Sequence, residues 1–188
     1  MSTSTISEIG IWNAWIFMIV FILQMIIMSF ANKQIRKRTH VPNSARKTLI
    51  EKYIGIIANF FWFVALVYSI FLPFLLGSIW FYVGLSVFII GILILMSTTV
   101  NFMTTPVGQL IQKGVYKFSR HPMYLATFLI CLGTGISTAS LIFILMSIII
   151  AIYFYYEAIL EEKYCLSKYQ NQYKEYMNSV PRWFGIHK

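Results

Sequence analysis

The sequence predicts an all-α integral membrane protein with five transmembrane helices, an outside N-terminus, a cytoplasmic C-terminus and a cytoplasmic C-terminal helix. Three observations predict this. Of 188 residues, 59% are hydrophobic and only 11% charged, against roughly 25% charged in a soluble domain, so too little polar surface exists to cover a water-facing shell. Mean hydropathy is +0.72, and the apolar residues gather in runs that approach the roughly 20 a bilayer core requires. All the Lys and Arg fall in three of the segments between those runs, and none in the others.

The runs are Ile11 to Ala31, Ile54 to Leu76, Ile79 to Thr99, Met123 to Ser137 and Leu141 to Tyr156. The second and third are separated only by Gly77 and Ser78, and the last two by Ser137 to Ser140, so each pair reads as a tight helical hairpin. The last pair is short, which extension into the interface at Tyr153, Tyr155 and Tyr156 accommodates. Seven basic residues (Lys33, Arg36, Lys37, Arg38, Arg46, Lys47, Lys52) follow the first run, three (Lys113, Lys117, Arg120) follow the third, and five (Lys163, Lys168, Lys174, Arg182, Lys188) lie in the tail. By the positive-inside rule these segments are cytoplasmic. An odd number of crossings is then required, and five satisfies it.

The first run follows a segment with Glu8 and no Lys or Arg, so it is read as a retained span despite Ser29 and Ala31 at its end. The net charge of +9 reports topology and attraction to an anionic leaflet, and no nucleic-acid partner is expected. Cys131 and Cys165 lack the spacing of a disulfide framework or zinc site, so no metal is expected. The first four runs carry no Lys, Arg, Asp or Glu to mark an ion path. We expect one membrane domain over 1–188, with 1–104 holding three spans and a basic loop and 105–184 the chemistry. From Glu157 onward the tail reads as an amphipathic helix stopping before Pro181.

One stretch departs from membrane-helix composition, Gly114 to Tyr124. Pro122 suits the first position of a helix, making His121 its N-cap and aiming free N–H groups and the positive dipole end outward. Arg120 adds a permanent charge, so an anion is favoured there. Glu157, Glu161 and Glu162 are half of all the acids. Glu157 and Glu161 share a helical face at i, i+4, where like charges repel, so a cation should sit nearby. An anion-binding helix start facing carboxylates fits a zwitterionic ligand such as S-adenosylmethionine, while a plain ion-pair cluster or lipid-headgroup contact is the alternative.

These residues resemble the integral-membrane methyltransferases that include isoprenylcysteine carboxyl methyltransferases and phospholipid N-methyltransferases. The resemblance lies in Gly114-x-Tyr116, Arg120-His121-Pro122-x-Tyr124, Glu161-Glu162, and Tyr173-x-x-Tyr176 followed by Val180-Pro181-Arg182. It implies S-adenosylmethionine bound by Gln109, Leu110, Gly114, Tyr116, His121, Pro122, Tyr124, Glu161 and Glu162. It also implies Arg120 and Glu161 at the reaction centre, and a lipophilic or lipid-modified acceptor arriving from the bilayer; Glu157, outside the shared pattern, joins them as a carboxylate able to take the proton of an amine acceptor. A prokaryotic cytoplasmic membrane, with the site facing the cytoplasm, is the expected location.

Two positions depart from the pattern. Tyr169-Gln170 stands where relatives have Phe-Gly, and Glu157 stands where carboxyl-methylating relatives have an Arg. The leading expectation is an isoprenylcysteine carboxyl methyltransferase-like enzyme. The alternatives are a phospholipid or other lipid-amine N-methyltransferase, an NADPH-dependent membrane reductase, and a non-enzymatic membrane interaction protein. Gly133 and Gly135 read as helix-packing positions.

Overall fold

The computed structural model describes residues 10–31, 35 and 49–185. Among these it has six α-helices and no named strand: α1 (Trp15–Ser29), α2 (Leu49–Ser69), α3 (Ile79–Thr104), α4 (Pro122–Ser137), α5 (Leu141–Tyr169) and α6 (Asn171–Ser179). A single 3-10 turn, Gly114–Lys117, precedes α4. The basic positions Lys33, Arg36, Lys37, Arg38, Arg46, Lys47 and Lys188, and the acidic Glu8, lie outside the described residues.

Each expected span has a helix, but among the described residues only three are long and apolar enough to cross a membrane: Lys52–Ser69 within α2, Ile79–Thr104 and Leu141–Tyr169. With 15 residues in α1 and 16 in α4, these two reach only about 22–24 Å at 1.5 Å per residue, short of a ~30 Å hydrocarbon core. By contrast α5, with 29 residues, extends about 43 Å, so one helix joins the apolar run to the acidic cluster beyond it.

The expected two-residue turn after the second run is longer than predicted. Helix α2 stops at Ser69, four residues before Pro73, whose ring would collide with the Ser69 carbonyl in a continuing helix. Apolar residues Ile70 to Leu76 therefore form an irregular connection that the segment just before α1 stitches in place. Ala14 N donates to Leu72 O at 2.8 Å, Phe74 N to Trp12 O at 3.1 Å, and Asn13 Nδ2 to Ile70 O at 2.7 Å. These bonds satisfy backbone groups that no water would reach in a bilayer.

The α3–α4 contact is the most extensive in the fold, and small residues make it possible. A Cβ on Gly84 would collide with Ser137 N and Gly133 O, and one on Gly133 would lie 2.6 Å from Gly84 O and Phe88 N. Gly135 meets Ile144 of α5 in the same way. Both glycines are packing positions, as the sequence indicated. Buried hydroxyls such as Thr98, Thr134 and Ser147 return their hydrogen bonds to carbonyls of their own helices, so no polar group is stranded there. The core packs Phe17 against Phe74 and Phe88 and continues through Leu95, Ala126, Ile130 and Phe143.

The tail helix exists but is broken. Helix α5 ends at Tyr169, and Gln170 turns the chain with φ 47° and ψ −122° before α6 begins. This is backbone that glycine adopts more readily, at the position where the related pattern has Gly. Helix α6 ends at Ser179, before Pro181 as expected. Its buried Tyr173 and Tyr176, with Val180 just beyond its end, pack on Leu110, Cys165 and Tyr169, tying the loop before α4 to the end of α5.

Candidate active site

Pro122 opens α4 with His121 as its N-cap residue, as the local sequence predicts. The His121 side chain makes no cap hydrogen bond and instead turns toward α5. Its Nδ1 lies 3.1 Å from Glu161 Oε2 and its Nε2 3.2 Å from Glu162 Oε1. Glu161 and Glu162 are consecutive, so their side chains diverge by about 100° around α5 and straddle the ring. Burial alone would lower the His121 pKa, but hydrogen bonds and charge from the two carboxylates outweigh it and hold the group above its ordinary 6.5.

The cation that the clustered acids required is therefore His121, and two arginines join it. Arg182 grips Glu162 with both prongs, Nε to Oε1 at 2.9 Å and Nη2 to Oε2 at 2.7 Å, a bidentate geometry specific to guanidinium. Arg120 Nη2 approaches Glu162 Oε1 at 3.4 Å, with its side chain only 9% exposed. Among the described residues, Arg120 Nε and Nη1 are buried without a hydrogen-bond partner. Such orphan donors are costly unless an acceptor joins them.

A C-terminal strap closes this cluster. Arg120 N donates to Pro181 O at 3.1 Å, and Gly185 N to Phe118 O at 3.1 Å. The buried Ser119 hydroxyl donates to Arg182 O at 3.2 Å and accepts from His121 N at 3.1 Å. Trp183 then comes within 6.2 Å, ring to ring, of both His121 and Tyr155. On the other side His121, Tyr124 and Phe154 form a stack of nearly parallel rings with centroids 5.6 and 4.6 Å apart.

The structure thus brings together Arg120, His121, Pro122, Tyr124, Glu161 and Glu162. Glu157 is buried on the same helix, and its charge and that of Glu161 face the Tyr124 phenol. The other expected cofactor residues are placed by α3, α5 and α6. Tyr116 O accepts from Tyr176 Oη at 2.7 Å, and Gln109 O lies 3.5 Å from Tyr169 Oη. Leu110 packs on the α6 tyrosines, and Gly114, at φ 55°, leaves room for the Asn101 side chain. Arg182 and Trp183 were missed as site residues. Their signal was the Val180-Pro181-Arg182 run, which the resemblance contained but to which no role was given.

Between α4 and α5, next to this cluster, lies a cleft of about 470 Å³ lined by apolar and aromatic residues, with Tyr124, Tyr155 and Trp183 among them. A lipophilic space therefore abuts a charged one, separated by aromatic rings.

The family model for phospholipid methyltransferase matches residues 72–172, more than half of the chain. The chain belongs to the phospholipid methyltransferase family. No individual curated protein matches it. The matched span runs from the connection at Pro73 through α3, α4 and α5, and contains Arg120, His121, Tyr124, Glu157, Glu161 and Glu162. The Arg182–Trp183 strap lies beyond it. As a phospholipid methyltransferase family member with three long apolar helices, the chain is an integral membrane protein of a methyltransferase family.

Proposed function

We propose that the protein is an S-adenosylmethionine-dependent methyltransferase whose acceptor is an amine-bearing lipid, acting at the cytoplasmic face of a prokaryotic membrane that it crosses five times. The observation that carries this reading is the direct abutment of the charged cluster on an apolar cleft. Such a junction suits a reaction between a polar cofactor and a lipid.

The residues present fit the cofactor. Arg120 holds two buried, unpartnered guanidinium donors, the donor set that a carboxylate such as that of the methionine moiety accepts from. Glu161 can accept from hydroxyls or pair with an ammonium. When bound, S-adenosylmethionine supplies a sulfonium-activated methyl group to a nucleophile in line with it.

The chain's own work is then to position, to exclude water and to handle a proton. Tyr124, Phe154 and Trp183 wall the junction with rings. An amine acceptor must be neutral to attack, and a carboxylate of Glu157 or Glu161 takes its proton. Glu157 also favours a cationic product, whereas the Arg of carboxyl-methylating relatives would favour a carboxylate.

A carboxyl acceptor, as in isoprenylcysteine methylation, has one specific point in its favour, since the free donors of Arg120 could face it instead. One experiment separates the two. Purified protein is incubated with methyl-labelled S-adenosylmethionine and a membrane lipid extract, and the labelled lipid is treated with mild base. We expect label that mild base does not release as volatile methanol, the mark of N-methylation, and that is lost in Glu161→Gln. Label released as methanol would move the acceptor to a carboxyl group, and no label would reject methyl transfer to lipid.

A further inference from the structure

We propose that the cleft between α4 and α5 seats a hydrocarbon chain of the acceptor, with the Trp183 indole as its end wall at the level of the charged cluster. This rests on the methyltransferase reading and adds where, and by which residues, the lipid is recognised.

The lining decides the chemistry. Leu125 and Phe128 of α4 face Ile148, Ala151 and Ile152 of α5, so nothing there rewards a polar ligand, while about 470 Å³ lies within the roughly 300–1,000 Å³ of ligand pockets. The cleft is reached from the side, because Ile148 and Ile152 on its rim are 43% and 66% exposed. From Ile148 to Tyr155 it follows about 10 Å of α5, near a third of a ~30 Å hydrocarbon core. It therefore takes the part of a chain next to the headgroup and leaves the rest in the bilayer.

Continuity with the site decides the occupant. The cleft ends on Tyr124, Tyr155 and Trp183. The first stacks on His121, the second lies under the Arg182 guanidinium at 5.3 Å, and the third borders His121. A chain lying in the cleft therefore presents its head to the cluster where Arg120, His121 and Glu161 gather.

The test fills the cleft without touching the cluster. Ile152→Trp enlarges a side chain that is already two-thirds exposed, so it does not strain the core, and Ala151→Phe fills the floor. Both are compared with wild type for S-adenosylmethionine affinity and for methylation of a membrane lipid extract. We expect cofactor Kd within about twofold of wild type, and KM for lipid raised about tenfold or more, the scale of 1.4 kcal/mol. Unchanged lipid methylation in both variants would make the cleft a resting place for bystander lipid and overturn the proposal. Absence of cofactor binding in the wild type itself would instead overturn the methyltransferase reading on which it rests.

Discussion

Glu162 is the hub of the charged cluster, and replacing it by Gln tests how that cluster holds the fold. The carboxylate accepts two bonds from Arg182 at 2.9 and 2.7 Å, lies 3.2 Å from His121 Nε2 and 3.4 Å from Arg120 Nη2, and is 5% exposed. Glutamine preserves the volume but removes the charge and turns an N–H₂ group toward donors. Removing one partner of a buried pair costs about 3–5 kcal/mol. Arg182 is 27% exposed and regains water, so the lower end, about 3 kcal/mol, applies. At about 2–4 °C per kcal/mol for a chain of this size, Glu162→Gln should lower Tm by about 6–12 °C. Thermal unfolding of detergent-purified protein, followed by circular dichroism, measures this. Arg182→Gln alone should cost about 1 kcal/mol, and the double variant should lose clearly less than the two single losses together. A Glu162→Gln shift below about 2 °C, or strict additivity with Arg182→Gln, would refute the hub.

His121 binds its proton more tightly folded than unfolded, so its contribution is complete below about pH 6.5 and is lost as pH rises through the higher folded pKa. Tm should therefore fall as pH is raised above about 6.5, and a His121→Gln titration should lack that slope. Gly133→Val, which drives a side chain into Gly84 and Phe88 of α3, should cost about 1–3 kcal/mol or more in thermal unfolding. Gln170→Gly relieves a positive φ and should raise Tm by about 2–4 °C, for about 1 kcal/mol. Arg120→Gln should weaken S-adenosylmethionine binding roughly tenfold to a hundredfold by equilibrium titration, the loss of charged hydrogen bonds.

Much of the site is legible locally. Pro122 sets the start of α4 through its fixed φ, and that places His121. The crowding of Glu157, Glu161 and Glu162 demands a cation, which the structure supplies as His121 and the two arginines. What hydropathy cannot register is backbone chemistry inside an apolar run. The run Ile54 to Leu76 contains Pro73, and the helix yields to it while the hydropathy does not. The strap was illegible for a different reason. Arg182 reaches Glu162 across 20 residues and Ser119 reaches Arg182 across 63, contacts with no periodicity to announce them. The cleft likewise arises from two helix faces, each of which reads in sequence as ordinary lipid-facing surface.

The most direct test of S-adenosylmethionine-dependent function is equilibrium binding of S-adenosylmethionine to the purified protein, with NADPH as a parallel ligand and a folded His121→Ala variant as control. Saturable S-adenosylmethionine binding that the variant loses is the predicted result. NADPH binding in its place, or no binding of either, would contradict the assignment of Arg120, His121 and Glu161 to a methyl-donor site.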